Sequence, residues 1–339
     1  DVSNRVKDDT PVLNMCMAKK RKVVSTLPLW TNDVYRTPAV QAAQEGMAVT
    51  SATPESNSRA NLGNYTQIFQ TVVGASGTAR AVEQSGGDPQ AYQEVKQLIE
   101  LMFDVELQLV RQDQIGTKYA GQSGSASGLP SGQTGRRMGS ISAFAGTQSF
   151  NTTDGAVDQI NTWVNNESSD SATETTGALN VYGNGSAFYT GTFTNQTFSP
   201  VLYKQLVTTA EQRYNAKIRT MVVPTSLRTT ISDNIVSSNT SVNRRNVERG
   251  DTIQTYEGDF NYTYEIFDSW IMDQAGVSNS IYFLNEDVVQ WGSLRDLGPN
   301  NEVFSNADAS LDQFLLEVTL IVRNPAGVAV LHDISASGA

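Results

Sequence analysis

The residues whose types could support catalysis are few and widely spaced. The chain has one histidine, His332, beside Asp333 near the C-terminus, and one cysteine, Cys16. A hydrolytic triad or a zinc site needs a histidine near other polar ligands, and a disulfide needs a second cysteine. We therefore predict that His332 is a surface or strand-end residue and that the chain forms no internal disulfide.

Closely spaced carboxylates are the other candidates for chemistry. Asp104 and Glu106 form one pair, and Glu286 and Asp287 form another. Residues two apart on a helix, like neighbours on a strand, point to different sides, so neither pair fits a general acid–base couple. The glycine-rich stretch 121–135 lacks the spacing of a phosphate-binding loop. These patterns predict a protein that is not an enzyme and has no cofactor and no metal.

The composition excludes further classes of function. The 339 residues carry a net charge of −11 and are 39% hydrophobic, enough for a sizeable core. Wrapping nucleic acid needs surplus Lys and Arg, so an acidic chain argues against that as its main role. No apolar stretch reaches the length of a membrane span. Because the sequence starts at Asp1 without Met, we expect residues upstream of it.

One dense basic run stands out, from Lys19 through Lys20 and Arg21 to Lys22. It fits a targeting signal, an electrostatic contact with nucleic acid, or a contact with an acidic neighbour. It also fits a solvated basic turn. We expect the N-terminal 26 residues around it to be extended, and slightly favour the acidic neighbour.

The elements that must position these residues begin with a long hairpin. A strand near 25–35 contains Trp30, and a second strand, "NYTQIFQTVV", starts at Asn64. The stretch between them is weakly hydrophobic and has no core of its own. A lone hairpin is marginal in water, so this one should lie on something else. Glycines at 74 and 77 follow the second strand and predict a joint.

A long helix follows, predicted over 89–115. Pro89 suits the first helical position, and an apolar stripe runs from Val95 to Leu109. Gly116 suits the residue after the end. At 1.5 Å per residue such a helix is roughly 40 Å long. The rest of the sequence completes an α+β pattern. We predict helices at 199–216 and 225–235, and strands at 218–224, 263–272, 280–287, 312–324 and 326–334.

A monomer would leave the arm and hairpin without partners, which favours homo-oligomer assembly by arm exchange.

Several motifs together resemble one family. They are "TPVLNM" (10–15), "LWTNDVY" (29–35) with Trp30 and Asp33, "EGM" (45–47), "LGNYTQIFQTVVGASGTA" (62–79), "GRRMGSISAF" (135–144) and "FLLEVTLIVRNPAGVAVL" (314–331). With the long helix, they resemble tailed-bacteriophage major capsid proteins of the Hong Kong 97 fold. The resemblance covers most of the chain and is weak over 147–198.

The resemblance implies an architecture. It implies an N-terminal arm at 1–30, an extended β-hairpin loop at 31–75 and a peripheral domain at 76–140 whose spine helix is 89–115. It further implies an axial domain at 141–305, a return strand of the peripheral domain at 306–324, and a C-terminal strand and tail at 325–339. Gly74 and Gly77 become the hinge of the loop.

The resemblance also implies a function. The chain would assemble with itself as hexamers and pentamers into an icosahedral shell, with a portal and a scaffold or decoration protein as partners. The shell would assemble in the host cytoplasm and hold double-stranded DNA non-specifically on its inner face. Residues 31–75 contain no lysine, so we predict no isopeptide crosslink from a loop lysine. The predicted inter-subunit contacts are Lys19, Lys20, Arg21, Lys22, Trp30, Asp33, Arg36, Glu45, Glu55, Arg59, Asn64, Tyr65, Gln67 and Phe69.

Two rival interpretations remain. One is a secreted or cell-surface structural protein or adhesin, which the Ser, Thr, Asn and Gly content would suit. The other is an enzyme such as a glycosidase that uses a carboxylate pair. The absence of a signal-like opening and the long helix argue against the first, and the absence of a pocket motif argues against the second.

Overall fold

A computed structural model describes the fold. The residues that it describes are 10–32, 40, 45, 60–82, 89–111, 122–124, 135–144, 146–147, 149–150, 157–158, 196–197, 211, 217–238, 255–257, 263–300, 309–324, 327–331 and 334–335. The predicted helix over 199–216 lies almost entirely outside these residues, as do His332 and the predicted helix end at Gly116. Most of the segment 147–198 lies outside them too.

The helices and strands have the following bounds. The helices are α1 Pro11–Met17, α2 Gly77–Ala81, α3 Pro89–Val110, α4 Ile141–Phe144, α5 Thr225–Ser238 and α6 Trp270–Gln274. The strands are β1 Lys20–Lys22, β2 Leu29–Asn32, β3 Ala60–Gly63, β4 Gln67–Ser76, β5 Gln122–Gly124, β6 Gly135–Arg137, β7 Gly146–Thr147, β8 Ser149–Phe150, β9 Val157–Asp158, β10 Gln196–Thr197, β11 Thr220–Pro224, β12 Thr255–Glu257, β13 Thr263–Ser269, β14 Ile281–Leu284, β15 Val289–Asn300, β16 Ala309–Val322, β17 Val328–Leu331 and β18 Ile334–Ser335.

The first of the two larger sheets has the order β1-β15-β16-β4. β4 pairs antiparallel with β16 without a register shift, from Gln67 opposite Val318 to Ser76 opposite Ala309. Residues of β4 alternate between buried and exposed because successive side chains point to opposite faces. Phe69 and Val73 point to the core, whereas Ile68 and Val72 are exposed. The sheet thus has one face packed on the body.

The second larger sheet is mixed and has the order β12-β13-β11-β14-β17-β7. β11 pairs parallel with β13 and antiparallel with β14. Every residue of β11 and β14 is buried, as expected for apolar central strands covered on both faces. The predicted strands at 218–224, 280–287 and 326–334 and the helix at 225–235 correspond to elements of this region, with shifted ends.

The long helix α3 joins the two sheets in a common core. Its buried side, Leu101, Val105 and Leu109, belongs to the same cluster as strand residues of both sheets. Val95, which the sequence placed on the apolar stripe, is exposed. The Tyr282 hydroxyl, on β14, donates a hydrogen bond of 2.6 Å to the Val110 carbonyl. It thereby satisfies a carbonyl that the helix end leaves without an intrahelical partner.

Two predicted boundaries and one predicted conformation are wrong. The helix predicted over 89–115 ends at Val110, after 22 residues or roughly 33 Å, where the Tyr282 hydroxyl binds its last carbonyl. The N-terminal segment is not wholly extended, because residues 11–17 form α1, which Pro11 starts and which buries Val12, Leu13 and Cys16. The strand predicted over 263–272 ends at Ser269, and Trp270 begins α6.

The predicted hairpin is present at its base. β2 pairs antiparallel with β3, from Leu29 opposite Gly63 to Asn32 opposite Ala60. The prediction that "NYTQIFQTVV" is the second strand of this hairpin is wrong, because β3 pairs with β2, whereas β4 begins at Gln67 and pairs with β16 instead. The chain therefore passes from the hairpin into the first sheet at residues 64–66. We call Leu29–Asn32 together with 60–66 the hairpin base; Asp33 and most of the loop tip lie outside the described residues.

The position of the glycine joint needs a correction. Gly74 lies inside β4 opposite Leu311, and Gly77 is the first residue of α2. The strand is continuous with the body well before Gly74, so the junction between hairpin and body is at 64–66 instead. A swing of the loop at Gly74 and Gly77 stays a prediction.

The first sheet combines strands from several of the predicted domain ranges, and the division into domains remains a prediction. β15 falls within the range 141–305, yet it pairs with β16, within 306–324, and β4, within the loop range and just beyond it, completes the same sheet. β1, from the predicted arm, pairs parallel with β15. The described arm residues thus add a strand to their own subunit.

Candidate functional site at the hairpin base

Asn64 joins the hairpin base to the body of the subunit. Its side chain is fully buried. The amide nitrogen donates to the carbonyls of Gly139 at 3.1 Å and Leu320 at 2.9 Å. The amide oxygen accepts from the Gly139 N–H at 2.7 Å. One side chain therefore satisfies three backbone groups that burial would otherwise leave unpaired, each at a cost of about 1–3 kcal/mol.

Glu317, on β16, is a second connection at the hairpin base. Its side chain is 4% exposed. One carboxylate oxygen accepts from the Thr66 hydroxyl at 3.0 Å and from Arg136 Nη2 at 2.6 Å, and the other accepts from Arg295 Nε at 2.9 Å. Burial alone would raise the pKa of Glu317, but the Thr66 hydroxyl and the two guanidinium groups outweigh it and lower the pKa. Glu317 is therefore ionised in the folded chain at neutral pH.

Further contacts fix the two sides of the base. Trp30 Nε1 donates to the Val322 carbonyl at 2.9 Å, and the indole lies 6.0 Å from the Phe144 ring, centroid to centroid. The Thr66 N–H donates to the Thr26 carbonyl at 2.9 Å. The Thr319 hydroxyl donates to the Tyr65 carbonyl at 2.9 Å. Backbone and side-chain bonds thus tie both strands of the hairpin to the first sheet.

Glu106 holds the N-terminal segment on α3. Its fully buried carboxylate accepts from the N–H groups of Val12 at 3.2 Å and Leu13 at 2.6 Å. These donors belong to the first turn of α1 and have no intrahelical partner, and a negative charge there also suits the helix dipole. Burial, and secondly this carboxylate, raises the pKa of the Cys16 thiol far above its ordinary value. Cys16 therefore remains a protonated thiol in the core.

We expect Glu106→Gln to destabilise the unassembled subunit by about 1–3 kcal/mol. Glutamine keeps one acceptor, but its NH2 group faces a backbone N–H that loses its partner. A lower urea midpoint and faster hydrogen exchange at Val12 and Leu13 would show this effect. Glu94→Gln, on the less buried half of the same helix, is the control and should change both measurements little. Unchanged exchange at Val12 and Leu13 would contradict the role of Glu106.

The basic run lies against carboxylates of its own subunit. Lys19 pairs with Asp287, and Lys20 Nζ lies 2.6 Å from a carboxylate oxygen of Asp296. The hydrogen bond from Lys19 lowers the pKa of Asp287, and the hydrogen bond from Lys20 lowers the pKa of Asp296. The basic run therefore contacts acidic residues, as one of the predicted interpretations has it, but these residues belong to its own chain. Arg21 and Lys22 are exposed.

The predicted contact residues outside the basic run fall into three groups. Asn64 and Phe69 are buried, and the Gln67 amide oxygen accepts from the Met138 N–H at 3.1 Å. Within the single subunit the side chains of Asn64 and Phe69 face the core, and an inter-subunit role for them stays a prediction. Tyr65 and Trp30 are half-buried, and Glu45 is exposed. Asp33, Arg36, Glu55 and Arg59 lie outside the described residues.

Sequence reasoning missed Glu106, Glu317, Thr66, Arg136 and Arg295. A usable signal was present for two of them. Glu317 interrupts the apolar run "FLLEVTLIV", and Glu106 lies between Val105 and Leu107 in a mostly apolar helix. A carboxylate in such a place is seldom buried unless it is paired. The basic partners of Glu317, Arg136 at 181 residues away and Arg295 at 22, had no such signal.

The two members of each carboxylate pair lie in different surroundings. Asp104 is exposed while Glu106 is buried. Glu286 accepts a hydrogen bond of 2.8 Å from the Thr220 hydroxyl, whereas Asp287 pairs with Lys19. Among the described residues no three His, Cys, Asp or Glu side chains are grouped to bind a metal ion. Within those same ranges no helix is long and apolar enough to cross a membrane.

Solved structures share the fold along nearly the whole chain. The capsid of cyanophage A-1(L) is 11% identical, with a TM-score of 0.57, and the match covers 98% of this chain and 97% of that one. Gordonia phage Cozz is 11% identical, with a TM-score of 0.54 and coverage of 99% and 92%. The SrpI encapsulin complex of Synechococcus elongatus is 8% identical, with a TM-score of 0.51 and coverage of 100% and 94%.

At such low identity these structures show the fold alone. They confirm the predicted α+β class and Hong Kong 97-like fold, and they include an encapsulin as well as phage capsids. The fold therefore does not by itself separate a phage protein from other shell proteins. No curated protein sequence matches the chain.

The family assignment comes from the sequence. A model of one family, described as the SU10 major capsid protein, matches residues 1–335 of the 339. This match confirms the predicted major capsid protein and does not support a cell-surface adhesin. The chain therefore belongs to the SU10 major capsid protein family.

Proposed function

We propose that this major capsid protein assembles with itself as hexamers and pentamers into an icosahedral shell around the double-stranded DNA of a tailed phage. The observation that carries the proposal is the family match over residues 1–335. The shell is part of the virion and assembles in the host cytoplasm. A portal and a scaffold or decoration protein are its further partners.

The hairpin is the element that we propose to reach a neighbouring subunit. Its base is attached to the body through Asn64, Trp30 and Thr66, and this leaves residues 33–59 between two anchored strands. A loop anchored at both ends can transmit force from one subunit to the next. The predicted contacts Arg36, Glu45, Glu55 and Arg59 all belong to this loop.

Arm exchange has less support than the hairpin contact. The described arm residues 10–32 pack on their own subunit through Val12, Leu13, Cys16 and Val23, all of them buried. We therefore propose that the hairpin, rather than this part of the arm, makes the main contact between subunits. Many weak contacts repeated over a closed shell together give a strong assembly.

We expect mature particles to dissociate into single chains on a reducing, denaturing gel. Residues 31–75 contain no lysine, so a loop lysine cannot form an isopeptide bond with a neighbour. Reducing agent removes any disulfide through Cys16, which leaves only crosslinks that resist it. Ladders of linked chains under these conditions would show that the prediction is wrong.

Electron cryo-microscopy of the expressed chain tests the assembly itself. Closed icosahedral shells, with density for residues 33–59 across a neighbouring subunit, would support the proposal. Monomers or flat sheets, with these residues folded on their own body, would overturn it. Particles that contain DNA would also test the location of the basic run, because Lys19 and Lys20 should remain at Asp287 and Asp296 rather than contact DNA.

A further inference from the structure

The two edges of the first sheet differ in a way that the assembly of a shell does not explain. Among the described strands, β1 forms one edge and β4 the other. β1 has three residues, Lys20, Arg21 and Lys22, all cationic and exposed. β4 has ten residues in unbroken register with β16 and no charged side chain.

The backbone N–H and carbonyl groups of β1 that face away from the sheet are those of Lys20 and Lys22. The Lys19 carbonyl accepts from the Trp291 N–H at 3.3 Å, and the Val23 N–H donates to the Ser293 carbonyl at 2.9 Å. The backbone hydrogen-bonding groups of the odd-numbered residues in this segment therefore point towards β15. Because the backbone groups of a strand alternate in direction, those of Lys20 and Lys22 face away from the sheet. An incoming strand would have to pair with these two residues.

Beyond the end of β1, strand β15 has two further features that hinder pairing with an incoming strand. The last β15 residue that pairs with β1 is Ser293, opposite Lys22. Register shifts against β16 follow at once, between Ser293 and Arg295 and between Arg295 and Gly298. Pro299 then removes a backbone N–H from the same strand. Short strands, cations, bulges and proline are the features with which sheet proteins prevent pairing between edges.

The ion pairs of the basic run keep β1 in place. Asp287 precedes β15 and Asp296 lies within it, so the pairs with Lys19 and Lys20 join β1 to the strand that it covers. Val23 adds an apolar contact, since it packs over Gly292 so closely that a Cβ added to this glycine would lie 3.2 Å from Val23 Cγ1. Arg21 and Lys22 are left as the exposed cations of the edge.

We propose that the basic run is an edge strand that prevents this sheet from pairing, edge to edge, with the same sheet of a second copy. Two such edges would bring cations opposite cations, and like charges across a strand pair are destabilising. The run thus limits subunit association to the contacts that build the shell. This role differs from DNA binding, targeting and contact with an acidic neighbour.

The test compares two full-length variants of equal net charge. Arg21→Thr/Lys22→Thr removes the exposed cations of β1 but leaves the pairs of Lys19 and Lys20. Lys217→Thr/Arg323→Thr removes two exposed cations elsewhere. If the proposal is right, the β1 variant forms irregular aggregates roughly tenfold faster than the control, measured by light scattering with electron microscopy. General charge repulsion would slow both variants equally, because both become more negative.

A charge-conserving variant separates the edge charge from the identity of the two residues. Arg21→Lys/Lys22→Arg keeps every cation of the edge and should aggregate as slowly as the wild type. Equal aggregation of the threonine variant and its control would overturn the proposal, as would fast aggregation of the charge-conserving variant. Because assembly into closed shells is scored separately by microscopy, failure of the shell proposal would be visible as such.

Discussion

Asn64→Ala is expected to lower the free energy of unfolding of the unassembled subunit by about 3 kcal/mol. The substitution leaves the N–H and carbonyl of Gly139 and the carbonyl of Leu320 without the amide that binds them, in a buried site. Urea unfolding followed by tryptophan fluorescence measures the loss. Hydrogen exchange should also accelerate at Gly139, because its N–H loses the acceptor.

Asn14→Ala is the matched control for this change. Asn14 lies on the exposed side of α1, so its replacement removes the same atoms from a solvated position. We expect a change within about 0.5 kcal/mol, as for most surface substitutions. A loss at Asn64 no larger than that at Asn14 would mean that the amide does not hold the hairpin base. A large loss with normal shells would instead mean that assembly restores the base.

Glu317→Gln is expected to have an effect of similar size, about 3 kcal/mol at neutral pH. The neutral side chain keeps the shape of glutamate, but it leaves Arg136 and Arg295 near each other without the carboxylate that both bind. It also presents NH2 to the Thr66 hydroxyl or to a guanidinium. Glu265→Gln, at an exposed position on β13, is the control and should be nearly neutral.

The pH dependence of this difference identifies the charge as its cause. The folded pKa of Glu317 is lowered relative to that of the unfolded chain. Its charge therefore contributes stability that is fully present above the unfolded pKa, about 4.3 for glutamate, and is lost as the pH falls through the folded pKa. The stability difference between wild type and Glu317→Gln should be constant from neutral pH to about pH 5 and shrink below it. A difference that does not change on acidification would point to packing instead.

Much of the fold could be predicted because the patterns concerned are local. Pro89 at a helix start and the continuous apolar run of β11 each follow from neighbouring residues. The α+β class was accessible for this reason. The end of α3 was not, because the Tyr282 hydroxyl that binds its last carbonyl lies 172 residues away.

The first strand of the hairpin was predicted correctly, but its second strand and the contacts that hold the base were not. The motif containing Asn64 was recognised, but a polar residue between two strands suggests an exposed contact unless its partners are known. Its partners are backbone groups at 139 and 320, which leave no trace in the side-chain pattern. The glycines at 74 and 77 suggested a joint, since glycine is permissive, yet β4 continues through Gly74 because β16 supplies a full set of partners.

The first sheet has a consequence for synthesis of the chain. Thr66, next to β4, and its partner Glu317 are 251 residues apart, and Lys19 and Asp287 are 268 apart. At about 5–20 residues per second, roughly 13 to 50 s pass on the ribosome between Thr66 and Glu317. During that interval β4, with Ile68 and Val72, has no strand to pair with, and the loop closed by its pairing is long. The sheet therefore forms only after nearly the whole chain has been translated, and until then Phe69 and Val73 of β4 have no sheet that buries them.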